Sequence, residues 1–172
     1  METNKEKLFE FNLVKQKYEC FIFLQKLMVA GNKTDDIKVA LYSVYLEFLS
    51  SLYEFYVAFK GKKKIKIDEL ITQEVKKLIV FLRCNDIEPP QNNDFAEQFR
   101  EIRNFKSHTS KSISSCPSVA EFYRNYHKYI MILMQPPLFS WNGKTELWED
   151  INLFVEEIKT SFPPNFLPKP PQ

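Results

Sequence analysis

Two long apolar stripes at helical spacing, each stopped by one of the chain's three glycines, constrain the fold more than any other feature. Phe11, Val14, Tyr18, Phe21, Ile22 and Met28 recur at the helical period from about Lys5 to Ala30, and Gly31 supplies a stop. Leu41, Val44, Tyr45, Phe48, Leu52, Phe55 and Phe59 repeat the pattern from about Asp35 to Lys60, ended by Gly61. Two helices of this length joined by so short a turn read as an antiparallel hairpin. Three glycines in 172 residues are too few for the many tight turns of a sandwich or barrel. They also leave no glycine-rich phosphate loop of either common type.

The remaining segments are helical as well. After Lys62-Lys63-Lys64-Ile65-Lys66, a charge run that reads as a solvated loop, Ile71, Val75, Leu78, Ile79 and Leu82 mark a third helix over about Asp68 to Cys84. Asp86-Ile87-Glu88-Pro89-Pro90 breaks it. A fourth helix spans Asn92 to about Ser107, with Phe95, Phe99 and Ile102 as its buried stripe. Ser118 with Glu121 fits a capping box for a fifth, which Val119, Phe122, Tyr123, Tyr126, Ile130 and Leu133 carry to a stop at Gln135-Pro136-Pro137. Leu147, Ile151, Phe154 and Ile158 mark a last helix over about Thr145 to Lys159. The pattern predicts an all-α bundle of five to six helices in a single domain over 1–160. A proline-rich, extended and non-catalytic tail is expected over 161–172.

Composition removes several function classes. A chain that is 44% hydrophobic and 15% aromatic can build a core without staples. Cys20, Cys84 and Cys116 are odd in number and form no close pair or Cys/His cluster, so reduced thiols are expected, with no disulfide framework and no zinc site. No cofactor or metal is expected. A net charge of +2 does not announce a nucleic-acid binder, so any RNA contact must come from a local patch. The first twelve residues hold no apolar signal core and no run of 18 apolar residues occurs, which predicts a cytoplasmic protein without a membrane span.

Candidate chemistry concentrates in Arg100-Glu101-Ile102-Arg103-Asn104-Phe105-Lys106-Ser107-His108. Histidine titrates near neutral pH and can move a proton. Arginine offers a planar fork of donors to phosphate and keeps its charge. Asparagine can orient either one. The Arg–His spacing alone is a weak signal in a chain with four Arg and two His. An Asn directly after the Arg makes it about tenfold rarer, since Asn fills 11 of 172 positions. Taken singly, Arg103 reads as a solvated helix residue paired with Glu101 or Glu97, and His108 as a surface histidine near a helix C-terminus. Arg124-Asn125-Tyr126-His127 repeats the residue types with only two residues between Arg and His, inside a helix, so His127 reads as an ordinary packed or surface residue.

The pattern Arg103-Asn104-x-x-x-His108 at the end of an amphipathic helix, after a long helical hairpin in an all-helical chain, resembles the HEPN superfamily. The resemblance covers the hairpin and the motif helix, and only the motif is specific. It implies a metal-independent endoribonuclease, a toxin or phage-defence effector, in which the RNA's own 2′-OH attacks the adjacent phosphate. His108 would be the general base or acid, Arg103 would stabilise phosphate charge, and Asn104 would orient the site. It also implies a homodimer through the motif helix and an antitoxin protein as a partner. Many family toxins carry a tyrosine two residues after the histidine, where a nucleotidyltransferase antitoxin modifies it; Ser110 stands there in this chain. The alternative within the family is a catalytically silent helical module that binds RNA or protein. A helical scaffold outside the family is a third reading.

Overall fold

A computed structural model of the chain describes residues 2–61, 63–107 and 118–140, together with Leu153, Val155 and Glu156, with side chains over 11–61, 63–105 and 118–136 and at those three positions. The chain divides into two compact units, Met1–Trp141 and Asn142–Gln172. In the second, Leu153, Val155 and Glu156 are helical and exposed; the rest of the expected helix over Thr145 to Lys159 and the tail lie outside the described residues.

The first unit is all-α. Its helices are α1 (Glu2–Val29), α2 (Asp35–Lys60), α3 (Ile67–Phe81), α4 (Asp94–Ser107) and α5 (Val119–Ser140), and the described residues contain no strand. α1 stops where Gly31 enters the left-handed region (φ 95°), with Gly31 N–H donating to the Met28 carbonyl and Asn32 N–H to that of Leu27. That pair of bonds is a Schellman stop. Three residues later Thr34 caps α2, its Oγ1 accepting from Ile37 N–H at 3.4 Å, and Asp35 and Asp36 face the positive end of the helix. α1 and α2 run antiparallel: Lys17 pairs with Glu47, Tyr18 packs on Phe48, and Phe21 packs on Tyr45.

α2 is the centre of the unit and touches each of the other four helices. Phe48, Leu49 and Leu52 of α2 are fully buried, as are Ile71 of α3, Phe95, Phe99 and Ile102 of α4, and Ile130, Leu133 and Met134 of α5. Phe99 meets the Tyr53 ring edge-on at 5.3 Å and Phe95 meets Tyr129 at 5.1 Å, so aromatic contacts knit α2, α4 and α5 together.

Three boundaries depart from expectation. α3 ends at Phe81 and does not reach Cys84, because Arg83 adopts φ 56° and closes a second Schellman stop, with Arg83 N–H to the Val80 carbonyl and Cys84 N–H to that of Ile79. α4 begins at Asp94, two residues late, because the Asn92 side chain accepts from Asp94 N–H at 3.1 Å ahead of the helix. α5 runs through Pro136 and Pro137 to Ser140. Pro137 has no N–H to offer the Leu133 carbonyl. The Tyr56 hydroxyl, from α2, donates to that carbonyl at 2.8 Å in its place. At the other end of α5 the expected cap is present: Ser118 Oγ accepts from Glu121 N–H at 3.2 Å.

Candidate functional site

α4 carries the motif on the flank of its buried stripe. Phe95, Phe99 and Ile102 point into the core at helical spacing, which leaves Arg100, Arg103 and Asn104 at the edge of the α2–α3–α4 junction. Arg103 leans onto α2. Its Nε donates to Glu54 Oε1 at 2.6 Å and its Nη2 lies 2.5 Å from the same oxygen, while Nη1 donates to Asn104 Oδ1 at 3.0 Å. The guanidinium also sits 5.8 Å from the centre of the Tyr53 ring. Contacts at both nitrogen ends fix the plane of the fork. Glu54 and Arg103 are each about one-third exposed, at 34% and 33%, so the pair is only partly shielded from water.

Arg100, one turn earlier, pairs with Asp68 of α3. Asp68 is buried, and its Oδ1 has no hydrogen-bond partner among the described residues. Burial pushes the Asp68 carboxyl above the ordinary range, and the Arg100 guanidinium pulls it back. Burial, with the Asp68 carboxylate next in weight, pushes the Tyr53 phenol up to about 12. Two arginines one turn apart thus tie α4 to α2 and to α3 through two carboxylates.

Arg103 and Asn104 are brought together, Nη1 donating to Oδ1 at 3.0 Å. His108 lies outside the described residues. Taken singly, Arg103 reads as a solvated residue paired with Glu101 or Glu97 of its own helix; in the structure it pairs with the Glu54 carboxylate of α2. Glu54 was missed by sequence reasoning, although it is the one carboxylate in the apolar stretch from Phe48 to Phe59. A lone charge inside a core-facing run needs a partner or a route to solvent, and that signal points to it.

Of the two ordinary readings of His127, packed or surface, the structure gives a partly buried, packed ring. Its Nδ1 lies 3.1 Å from the Tyr45 hydroxyl, and its ring stacks on Tyr123 at 4.2 Å. Burial lowers its pKa to about 4, so it is neutral near pH 7. Among the described residues no three His, Cys, Asp or Glu side chains converge to hold a metal. No described helix is long and apolar enough to cross a membrane.

In chemical terms the junction presents a cation of fixed orientation beside an amide. With Oδ1 of Asn104 turned to Arg103, the two N–H donors of the amide remain to serve another acceptor, such as a phosphate oxygen. Compared with family models, with curated proteins and with solved structures, the chain matches none.

Proposed function

We propose that the chain is a metal-independent endoribonuclease of HEPN type, acting in the cytoplasm as a toxin or phage-defence effector and held in check by an antitoxin protein. The observation that carries this reading is the clamped guanidinium. Arg103 is held at one end by Glu54 and at the other by Asn104, five positions before His108 in the sequence. A fork held in advance stabilises charge on a phosphate without having to reorganise when that charge develops. In the reaction the ribose 2′-oxygen attacks the adjacent phosphorus as its proton leaves, and the 5′-oxygen of the next nucleotide departs with a proton. A 2′,3′-cyclic phosphate remains. His108 is assigned one of the two proton transfers, Arg103 the non-bridging oxygens, and Asn104 the orientation of both. Purified protein should therefore cleave RNA in EDTA, and substrates with 2′-deoxy or 2′-O-methyl sugars should survive. His108→Ala should lower the rate by about 10²- to 10⁴-fold. Cleavage of DNA, or abolition by EDTA with rescue by Mg²⁺, would overturn the assignment.

The same ion pair favours a second reading. An arginine that binds a carboxylate of its own bundle can serve only to dock α4 on α2, and the chain would then be a silent helical module that binds RNA or protein. Wild-type protein that leaves RNA intact, yet loses stability on Arg103→Ala, would select that reading.

A further inference from the structure

The lysine run that reads as a solvated loop in the sequence closes α2 beside a half-exposed aromatic ring. No acidic residue occurs between Glu54 and Asp68, a stretch that holds five lysines. Lys60, Lys63, Lys64 and Lys66 form no ion pair with a carboxylate among the described residues, and Lys63, Lys64 and Lys66 are exposed. At the edge of this turn Phe59 is 40% exposed. Its ring stacks on Phe55 at 6.3 Å and 17°, meets Tyr56 edge-on, and carries the Lys63 ammonium 5.0 Å from its centre.

We propose that this turn is a contact surface for single-stranded nucleic acid. Stacking platforms of this kind pair an aromatic face for a base with cations for the flanking phosphates. Phe59 supplies the face, with Phe55 stacked beside it at 6.3 Å and 17°. The Lys63 ammonium lies 5.0 Å from the centre of that ring, and its flexible stem lets it move to a phosphate when a base stacks there. Lys60, Lys64 and Lys66 line the path of the backbone. A membrane surface fits less well. Among the described residues of this turn only Val57, at 39%, is an exposed large apolar side chain besides Phe59, too little apolar surface to enter a bilayer interface. Phe59 lies five residues beyond Glu54 on α2, about 7.5 Å along the axis and about 140° around it. The turn is therefore a separate contact from the Arg103 clamp, and it stands whether or not that clamp takes part in chemistry.

Binding can be read on a strand that cannot be cut, a fluorescein-labelled 2′-O-methyl oligouridylate. Each phosphate neutralised on a single strand contributes a slope of about −0.7 in log K against log salt, so four contacts predict about a 50-fold loss of affinity between 50 and 200 mM salt. The variant with Lys60, Lys63, Lys64 and Lys66 all changed to Gln should bind at least about tenfold more weakly at 50 mM and lose most of that salt slope. Phe59→Leu, which keeps apolar contact with Phe55, should lose about fivefold or more without changing the slope. Thermal melts of both variants should stay near wild type, because none of the four lysines pairs with a carboxylate among the described residues and leucine retains apolar contact with Phe55. Unchanged affinity in either variant would overturn the proposal. So would equal affinity for a duplex of the same length, or binding to phosphatidylserine vesicles or a polyglutamate peptide in preference to the strand. Because the probe cannot be cut, wild-type protein that binds but never cleaves RNA sinks the nuclease reading alone. Protein that cleaves RNA but binds this strand equally well without the four lysines sinks the platform alone.

Discussion

At the scale of single residues, the meaning of Arg103 depends on Glu54. A carboxylate at 2.6 Å from Nε holds the fork, yet the pair is one-third exposed, so its share of folding stability is small, about 0.2–1 kcal/mol. In the nuclease reading its larger effect is on rate. Glu54→Gln keeps an acceptor and loses the charge. It should lower kcat roughly 10- to 100-fold through misplacement of the guanidinium, with KM little changed. Because Glu54 acts through Arg103, the double variant with Arg103→Ala should be no slower than Arg103→Ala alone. Multiplying losses in that cycle would show that Glu54 has a role of its own. A different residue controls the acid limit of the fold. His127 titrates at about 4 in the folded chain because it is buried among Tyr45, Tyr123 and Phe21, against about 6.5 when unfolded. Between those values the unfolded chain binds a proton that the folded chain does not, so stability rises with pH across that window and is flat above it. Stability is therefore expected to fall as the pH drops from 7 to 4, by an amount that the partial exposure of the ring keeps below the full value of the shift. Urea unfolding at a series of pH values checks it. In His127→Gln, which can still bond the Tyr45 hydroxyl, this segment of the profile should flatten; an unchanged slope would assign the acid sensitivity to other groups.

Among elements, the helix ends separate what local sequence can specify from what it cannot. α2 is legible in its extent, through the stripe from Leu41 to Phe59 and the stop at Gly61, while the Thr34 cap that starts it is a finding of the structure. α3 is legible as a helix through Ile71, Val75 and Ile79, but not in its stop, because the left-handed position that ends it is held by Arg83 where glycine is the usual signal. α5 shows the opposite failure. Pro136-Pro137 is a strong local stop, since each proline removes an N–H from the helix ladder at a cost of about 3 kcal/mol. The helix continues nonetheless, and a hydroxyl 77 positions away in sequence supplies the donor that Pro137 withholds from the Leu133 carbonyl. The partner of Arg103 was hidden for the same reason, since Glu54 lies 49 positions away and only tertiary packing brings it close. Tyr56→Phe should therefore leave that buried carbonyl unsatisfied and cost about 1–3 kcal/mol in urea unfolding. Adding Pro137→Ala restores an N–H at the position that would bond Leu133, so the double variant should recover most of the loss. A double variant as unstable as Tyr56→Phe would show that the hydroxyl acts elsewhere.

For the molecule as a whole, the remaining question is how Arg103 and His108 could serve one phosphate. On a regular helix positions five apart differ by about 140° around the axis and about 7.5 Å along it, so the two groups meet either because the chain leaves the helix before His108 or because a second copy supplies the histidine. Arg103 is moreover tied to α2 of its own chain through Glu54, which fixes the side on which its guanidinium lies. A two-fold axis through the end of α4 answers this, because an isologous contact presents the same patch twice and places the arginine of one copy beside the histidine of the other. The proposed nuclease is therefore expected to be a homodimer, with a mass by light scattering about twice the 20.5 kDa of the chain at micromolar concentration. Complementation gives the sharper test. Arg103→Ala and His108→Ala proteins should each be inactive alone. Unfolded and refolded together, they should regain part of the wild-type rate, since a mixed dimer holds one intact arginine and one intact histidine in its shared cleft. A strictly monomeric protein with full activity, or a mixture that stays as inactive as its components, would place both groups within one chain and remove the need for a partner copy.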